Sequence, residues 1–143
     1  MFKDLKQNAC FDNSDLYRLI KYSMGKMKDN DIDKYLKKVR DQSNYFIYGY
    51  YESGNIVGLI IYKVENKIGN IDVISVEKDE RGKGIGTKIL NMINEKKQIV
   101  RIEAKCESKA VGFYKKLGFS VESIGKNYYE DEFYLCWIEY KSN

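Results

Sequence analysis

At 143 residues, with 43% hydrophobic and 32% charged side chains, the chain has the size and balance of one soluble globular domain spanning residues 1–143. A net charge of +4, from 25 Lys and Arg against 21 Asp and Glu, is too small to mark a dedicated nucleic-acid binder, but it suits a small, highly anionic ligand. Histidine is absent, which removes the commonest general base and the commonest zinc ligand together, so proton transfer falls to Asp, Glu, Tyr, Lys, Cys or water.

The longest apolar run, Ile56 to Tyr62, is too short to span a bilayer, and the opening MFKDLKQNACFDNSD carries charges where a signal peptide needs its hydrophobic segment. The expectation is a cytoplasmic protein with no membrane partner. Cys10, Cys106 and Cys136 are odd in number and far apart, which fits reduced thiols rather than a disulfide framework or a metal site.

In chain order, Leu16, Leu19, Ile20 and Met24 recur at helical spacing and predict a helix from Asn13 to about Lys28, with Asn13 or Ser14 as its cap. A second helix, Asp31 to Asp41, places Ile32, Tyr35, Leu36 and Val39 on one face. Strands follow at Tyr45 to Tyr51 and Ile56 to Val64, joined by a hairpin turn at Ser53, Gly54 and Asn55. A turn at Lys67 to Gly69 leads to a third strand, Asn70 to Val76, and the three are expected to be adjacent and antiparallel.

A helix from Gly84 to about Lys96 carries Ile85, Ile89, Met92 and Ile93 along one stripe. Ile99 to Cys106 alternates Ile102, Ala104 and Cys106 with Arg101, Glu103 and Lys105, a strand with two unlike faces. Strand, helix and strand in succession imply one parallel pair with a right-handed crossover. A short helix, Ser108 to Leu117, ends at Gly118 with Phe119 packing back on its last turn, and strands at Phe119 to Ile124 and Glu132 to Tyr140 complete the chain. The last strand is placed to supply an edge for a homodimer.

Between the third strand and the third helix stands DERGKGIG, Asp79 to Gly86. Amides at a helix start have no partner inside the helix and, with the helix dipole, attract anions. Glycine lets that backbone approach a phosphate closely, so Gly82, Gly84 and Gly86 with Arg81 and Lys83 describe a pyrophosphate cradle. A Walker loop would need Gly-Lys followed by Ser or Thr, and the order here is Gly86, Thr87, Lys88; a dinucleotide fingerprint would need GxGxxG, and the segment reads GxGxG. Read singly, such glycines are more often just a tight turn.

The pattern RxxGxG, as Arg81, Gly84 and Gly86 between strand and helix, resembles the GNAT superfamily of acyl-CoA-dependent N-acetyltransferases. The segment AVGFYKKLGF, Ala110 to Phe119, is similar to the later helix of that family. The two motifs stand in the family's order, with room for one strand between them. The resemblance implies an α/β (α+β) fold: a mixed, mostly antiparallel central sheet with one parallel pair, flanked by about four helices. It also implies acetyl-CoA as cosubstrate and a small-molecule or peptide amine as acceptor.

Carried onto this chain, the resemblance implies that the backbone from Gly82 to Gly86, through Lys83, Gly84 and Ile85 and on to Thr87, holds the pyrophosphate. Arg81, Lys83 and Lys88 would add charge. Ser75 and Val76 would line the pantetheine arm, Ser108 and Glu107 would lie beside it, and Tyr114 would be the general acid. Glu107 stands where the family often has Asn. For the base, Glu103 is placed ahead of Asp72, with an ordered water chain as the third choice.

Each residue also has a plainer reading. Tyr114 shares a stripe with Ala110, Phe113 and Leu117 and reads as a core aromatic; Glu103 alternates with Arg101 and Lys105 and reads as part of a solvated strand face. Cys106 faces the core with no histidine to activate it, which argues for direct transfer rather than an acyl-enzyme. An acidic, aromatic rim of Tyr128, Tyr129, Glu130, Asp131 and Glu132 suits a cationic amine. The alternative function is a non-catalytic acyl-CoA-binding or regulatory module.

Overall fold

The computed structural model describes residues 1–6, 14–96 and 99–140; Cys10 and the Asn13 cap lie outside them. Seven strands form one mixed sheet: β1 (Phe2–Asp4), β2 (Tyr45–Glu52), β3 (Asn55–Glu65), β4 (Ile68–Val76), β5 (Arg101–Glu107), β6 (Ser120–Lys126) and β7 (Glu132–Glu139). Their spatial order is β1-β2-β3-β4-β5-β7-β6, antiparallel throughout except for the parallel β4–β5 pair. Among the described residues four helices flank it: α1 (Ser14–Ser23), α2 (Asp29–Asp41), α3 (Ile85–Glu95) and α4 (Ser108–Lys116). None of these helices is long and apolar enough to cross a membrane.

The apolar stripes read from the sequence decide which face each helix covers. α3 and α4 pack on one face, where Ile85, Ile89, Ile93 and Tyr114 meet Ile60, Tyr62, Ile74, Ile102 and Ala104. On the other face Leu16, Leu19 and Ile20 of α1 and Ile32, Leu36 and Val39 of α2 bury against Ile47, Leu59, Ile61 and Val73. Each aliphatic side chain so enclosed contributes roughly 1.5–3 kcal/mol of burial free energy.

Three boundaries differ from the sequence reading. The first helix stops at Ser23, and α2 begins at Asp29, where the Lys28 amide donates to the Asp31 carboxylate at 3.1 Å. The turn before β4 is made by Asn66 and Lys67, both at positive φ (52° and 63°), so that strand starts at Ile68. β7 lies between β5 and β6, so the Glu132 to Tyr140 segment offers no free edge; the edges are β1 and β6.

Two features of β4 shape everything beyond. Its parallel pairing with β5 covers only Ile68↔Arg101, Gly69↔Ile102 and Asn70↔Glu103, and the strands part after that point. Against β3 the register shifts between Ile61↔Val73 and Tyr62↔Ile71, leaving Asp72 as the extra residue of a β-bulge. From Ile71 to Val76, then, one side of β4 faces an opening rather than a strand.

Candidate active site

The opening between β4 and β5 widens into a cleft of about 780 Å³. Its walls come from Ile71 and Asp72 of β4, from Lys105, Cys106 and Glu107 of β5, and from Lys109, Ala110 and Tyr114 of α4. The Ser23–Met27 turn closes one side, and Asp131 and Phe133 close another. A crevice at the carboxyl ends of parallel strands is where open α/β sheets bind ligands.

Past the cleft, β4 runs through Ser75 and Val76 into the glycine turn. Ser75 is 4% exposed and its hydroxyl has no hydrogen-bond partner among the described residues. A buried hydroxyl left unpaired costs about 1–3 kcal/mol. A short 3-10 turn, Lys78–Glu80, then brings the chain to Arg81. The Arg81 Nε donates to the Val76 carbonyl at 3.0 Å, and its guanidinium lies 5.0 Å from the Tyr22 ring centre on α1.

The three glycines do two jobs. Gly82 and Gly84 hold φ of 80° and 81°, the left-handed region that L side chains avoid, and a Cβ at either position would meet open space. Gly86 is a packing residue, because a Cβ there would stand 2.7 Å from the Leu117 Cδ2. Gly84 caps α3, and the first bond of that helix runs from the Lys88 amide to the Gly84 carbonyl at 3.0 Å. The amides of Ile85, Gly86 and Thr87 therefore have no partner within the helix. Arg81, Lys83, Thr87 and Lys88 are exposed around that end, with Lys83 paired to Glu80 at 2.7 Å and Lys88 to the Tyr50 hydroxyl at 3.3 Å.

Tyr114 is 7% exposed, held edge-on between Phe113 and Phe119 with ring centres 5.3 and 5.1 Å away. Burial, followed by the nearby Cys106 and Cys136 thiols, pushes its hydroxyl well above the usual phenol range. Cys106 and Cys136 are free thiols with sulfurs 3.6 Å apart. Burial raises Cys106, and burial with the Cys106 contact pushes Cys136 up to about 12, so neither is primed as a thiolate nucleophile.

The two carboxylates weighed for the base part company in the structure. Glu103 sits on the last rung of the parallel ladder, before the strands separate, and does not line the cleft. Its carboxylate takes the Arg101 Nε at 2.6 Å, and Arg101 also reaches Glu139 at 3.1 Å and lies 5.0 Å from the Trp137 ring centre. Asp72 sits two residues beyond Asn70, inside the opening, in the same cleft as Tyr114. Ser108 opens α4 and is exposed, while its neighbour Glu107 lines the cleft. Of the acidic rim, Asp131 lines the cleft, Tyr128 and Tyr129 are 92% and 78% exposed, and Glu132 is held by Ser123 and Tyr134.

The sequence reading did not find Tyr35, whose hydroxyl donates to Asp72 at 2.7 Å, nor the 24–27 turn as a wall of the cleft. Tyr35 belongs to the apolar stripe of α2, and nothing in its spacing sets it apart from its neighbours.

Residues 23–140 match the family model described as the acetyltransferase (GNAT) domain, and the chain belongs to that family. Among curated proteins it is 32% identical over 82 residues to the uncharacterized protein YdhI of Bacillus subtilis (strain 168); the match takes in 53% of this chain and spans about half, 50%, of that protein. Among solved structures it superposes with a TM-score of 0.82 on an aminoglycoside 6'-N-acetyltransferase complexed with coenzyme A, at 12% identity, covering 100% of this chain and 98% of that one. On the ribosomal-protein-S18-alanine N-acetyltransferase of Escherichia coli the TM-score is 0.76 at 15% identity, with 100% and 95% covered. These likenesses establish the GNAT fold.

Proposed function

We propose that the protein transfers an acetyl group from acetyl-CoA to a primary amine, by direct attack in a ternary complex. One observation carries the reading: the gap where β4 leaves β5 holds Asp72 and Tyr114 in a single cleft, and β4 leads from it, past a Ser75 hydroxyl unpaired among the described residues, to a helix start whose first amides have no partner within the helix. Acetyl-CoA brings the activated acyl carbon. The chain binds it, orients it and moves protons.

In this reading the amides at the start of α3 and the charge of Arg81 and Lys83 hold the pyrophosphate. The open side of β4 and the Ser75 hydroxyl line the arm. An attacking amine must be neutral, and a lysine-like amine is neutral in only about one molecule in a few thousand at pH 7. Asp72 therefore serves as the base, directly or through water, in preference to the engaged Glu103. The Tyr114 hydroxyl is the acid for the departing sulfur; burial keeps its proton in place through the neutral range.

The test is incubation of the purified chain with acetyl-CoA and a broad panel of primary amines, small molecules and peptides, following free thiol, with coenzyme A binding measured by calorimetry. Thiol release on one class of amine supports the reading. Binding without turnover on any amine makes the chain a non-catalytic acyl-CoA-binding module, and no binding at all overturns the cradle.

A further inference from the structure

Asp72 faces the cleft because β4 carries one residue too many. Ile74 and Val76 point to the α3 side of the sheet, and strict alternation would send Asp72 with them. At the bulge Ile71 packs on that side instead, and Asp72 turns to meet α2. There the Tyr35 hydroxyl donates to Asp72 Oδ2 at 2.7 Å. The Tyr45 ring of β2, 4% exposed, stands edge-on to Tyr35 at 6.5 Å, and its own hydroxyl also hydrogen-bonds Asp72.

The remaining groups around this carboxylate divide by position. Lys105 and Glu107 of β5, Lys109 of α4, Lys26 of the 24–27 turn and Asp131 line the same cleft. Lys38 of α2 and Lys63 of β3 lie over the Tyr45 ring at 5.8 and 5.6 Å. On α1, Arg18 and Tyr22 are spent on Glu77, beyond the far end of β4. Tyr35, at 2.7 Å, and Tyr45 of β2 are thus the two phenols that hold the Asp72 side chain.

We propose that Tyr35, together with Tyr45, is a positioning residue that fixes the Asp72 carboxylate in the cleft. The proposal rests on the reading of Asp72 as the base. A base acts only from within hydrogen-bond reach of the proton it takes, so a carboxylate held by donated hydrogen bonds keeps the geometry that abstraction needs.

The experiment compares wild type, Tyr35→Phe, Tyr45→Phe and Asp72→Asn, using acetyl-CoA and the amine that the panel selects, with coenzyme A affinity and denaturant unfolding measured in parallel. Tyr35→Phe is expected to lower kcat by about tenfold while coenzyme A affinity stays within a few-fold, the pattern of a misplaced base. Tyr45→Phe is expected to lower kcat in the same way, and it carries the test if Tyr35→Phe does not fold. Lost stability with kcat unchanged would mean that the bonds only tie α2 to the sheet, and this overturns the proposal, as does no change in either. The base reading has its own signature: Asp72→Asn with wild-type kcat sinks that reading, whereas lost turnover in Asp72→Asn beside unchanged kcat in Tyr35→Phe sinks the positioning role alone. No turnover on any amine overturns both.

Discussion

The amide of Phe119 donates to the carbonyl of Tyr114 at 3.1 Å, and the two rings meet edge to face 5.1 Å apart. Beside that bond the Gly118 amide donates to Lys115 at 3.0 Å, with Gly118 at φ 94°. The pair is a Schellman cap, whose two bonds and apolar contact end α4. One local device thus stops the helix and locks the proposed acid at the cleft wall.

Weakening the cap is expected to loosen Tyr114 along with the helix end. Phe119→Leu should cost about 1–2 kcal/mol in denaturant unfolding, since it replaces a 5% exposed ring with a smaller side chain. Gly118→Ala should cost a further ~1–2 kcal/mol, because an L side chain is strained at that φ. Both should lower kcat more than they weaken coenzyme A binding; an unchanged kcat in the destabilised variants would detach the cap from the chemistry.

Tyr114→Phe keeps the ring and both aromatic contacts and removes only the hydroxyl. Coenzyme A affinity by calorimetry should stay within a few-fold, while turnover falls by roughly 10²–10⁴, the range for a lost general acid. Full activity in this variant would move the acid to another group or to water.

Much of this arrangement was legible in the sequence because it is built from local devices. Gly82 and Gly84 announce a left-handed turn, and Gly118 with Phe119 announces a helix stop; the stripes of Ile85, Ile89 and Ile93 or Ile32, Leu36 and Val39 announce buried faces. What stayed hidden depends on partners distant in the chain. The bulge at Asp72 exists only in register with Ile61 and Tyr62, and it reverses the face that alternation assigns. Glu103 and Asp72 look alike as acids on adjacent strands; only the point where β4 leaves β5 separates them. β7 reads as an edge because its insertion beside β5 is a tertiary choice, and β1 is only three residues long, too brief for a pattern.

The glycines of the turn should respond differently to substitution. Gly84→Asn tolerates the left-handed φ, and the site is sterically open, so the fold should lose under ~1 kcal/mol while coenzyme A affinity drops at least about tenfold from the side chain beside the amides. Gly86→Ala drives a Cβ to 2.7 Å from the Leu117 Cδ2, a terminal methyl that can turn aside, and replaces a glycine within α3, so stability should change by less than about 1 kcal/mol and coenzyme A affinity by no more than a few-fold. Unfolding curves and calorimetry on the variants separate the two effects. Equal affinity in Gly84→Asn and wild type would count against the cradle.

Alkaline pH should unfold the protein early, for a reason built into its aromatic core. Burial is the first cause in every case: it pushes Tyr45 and Tyr140 up to about 12 and drives Tyr35, Tyr62 and Tyr114 higher still. An unfolded tyrosine titrates near pH 10, so above that pH the unfolded chain gives up protons that the folded chain keeps. Stability from these groups is complete below about pH 10 and is lost as pH rises through the folded values, each phenol contributing up to about 1.4 kcal/mol per pH unit. Chemical unfolding at pH 8, 10 and 11 should show a plateau and then a steep fall. Tyr140→Phe removes one titrating phenol, which donates to the Leu90 carbonyl at 3.2 Å, and should make the fall shallower. A profile flat to pH 11 would mean that these hydroxyls ionise as freely in the folded chain as in the unfolded one.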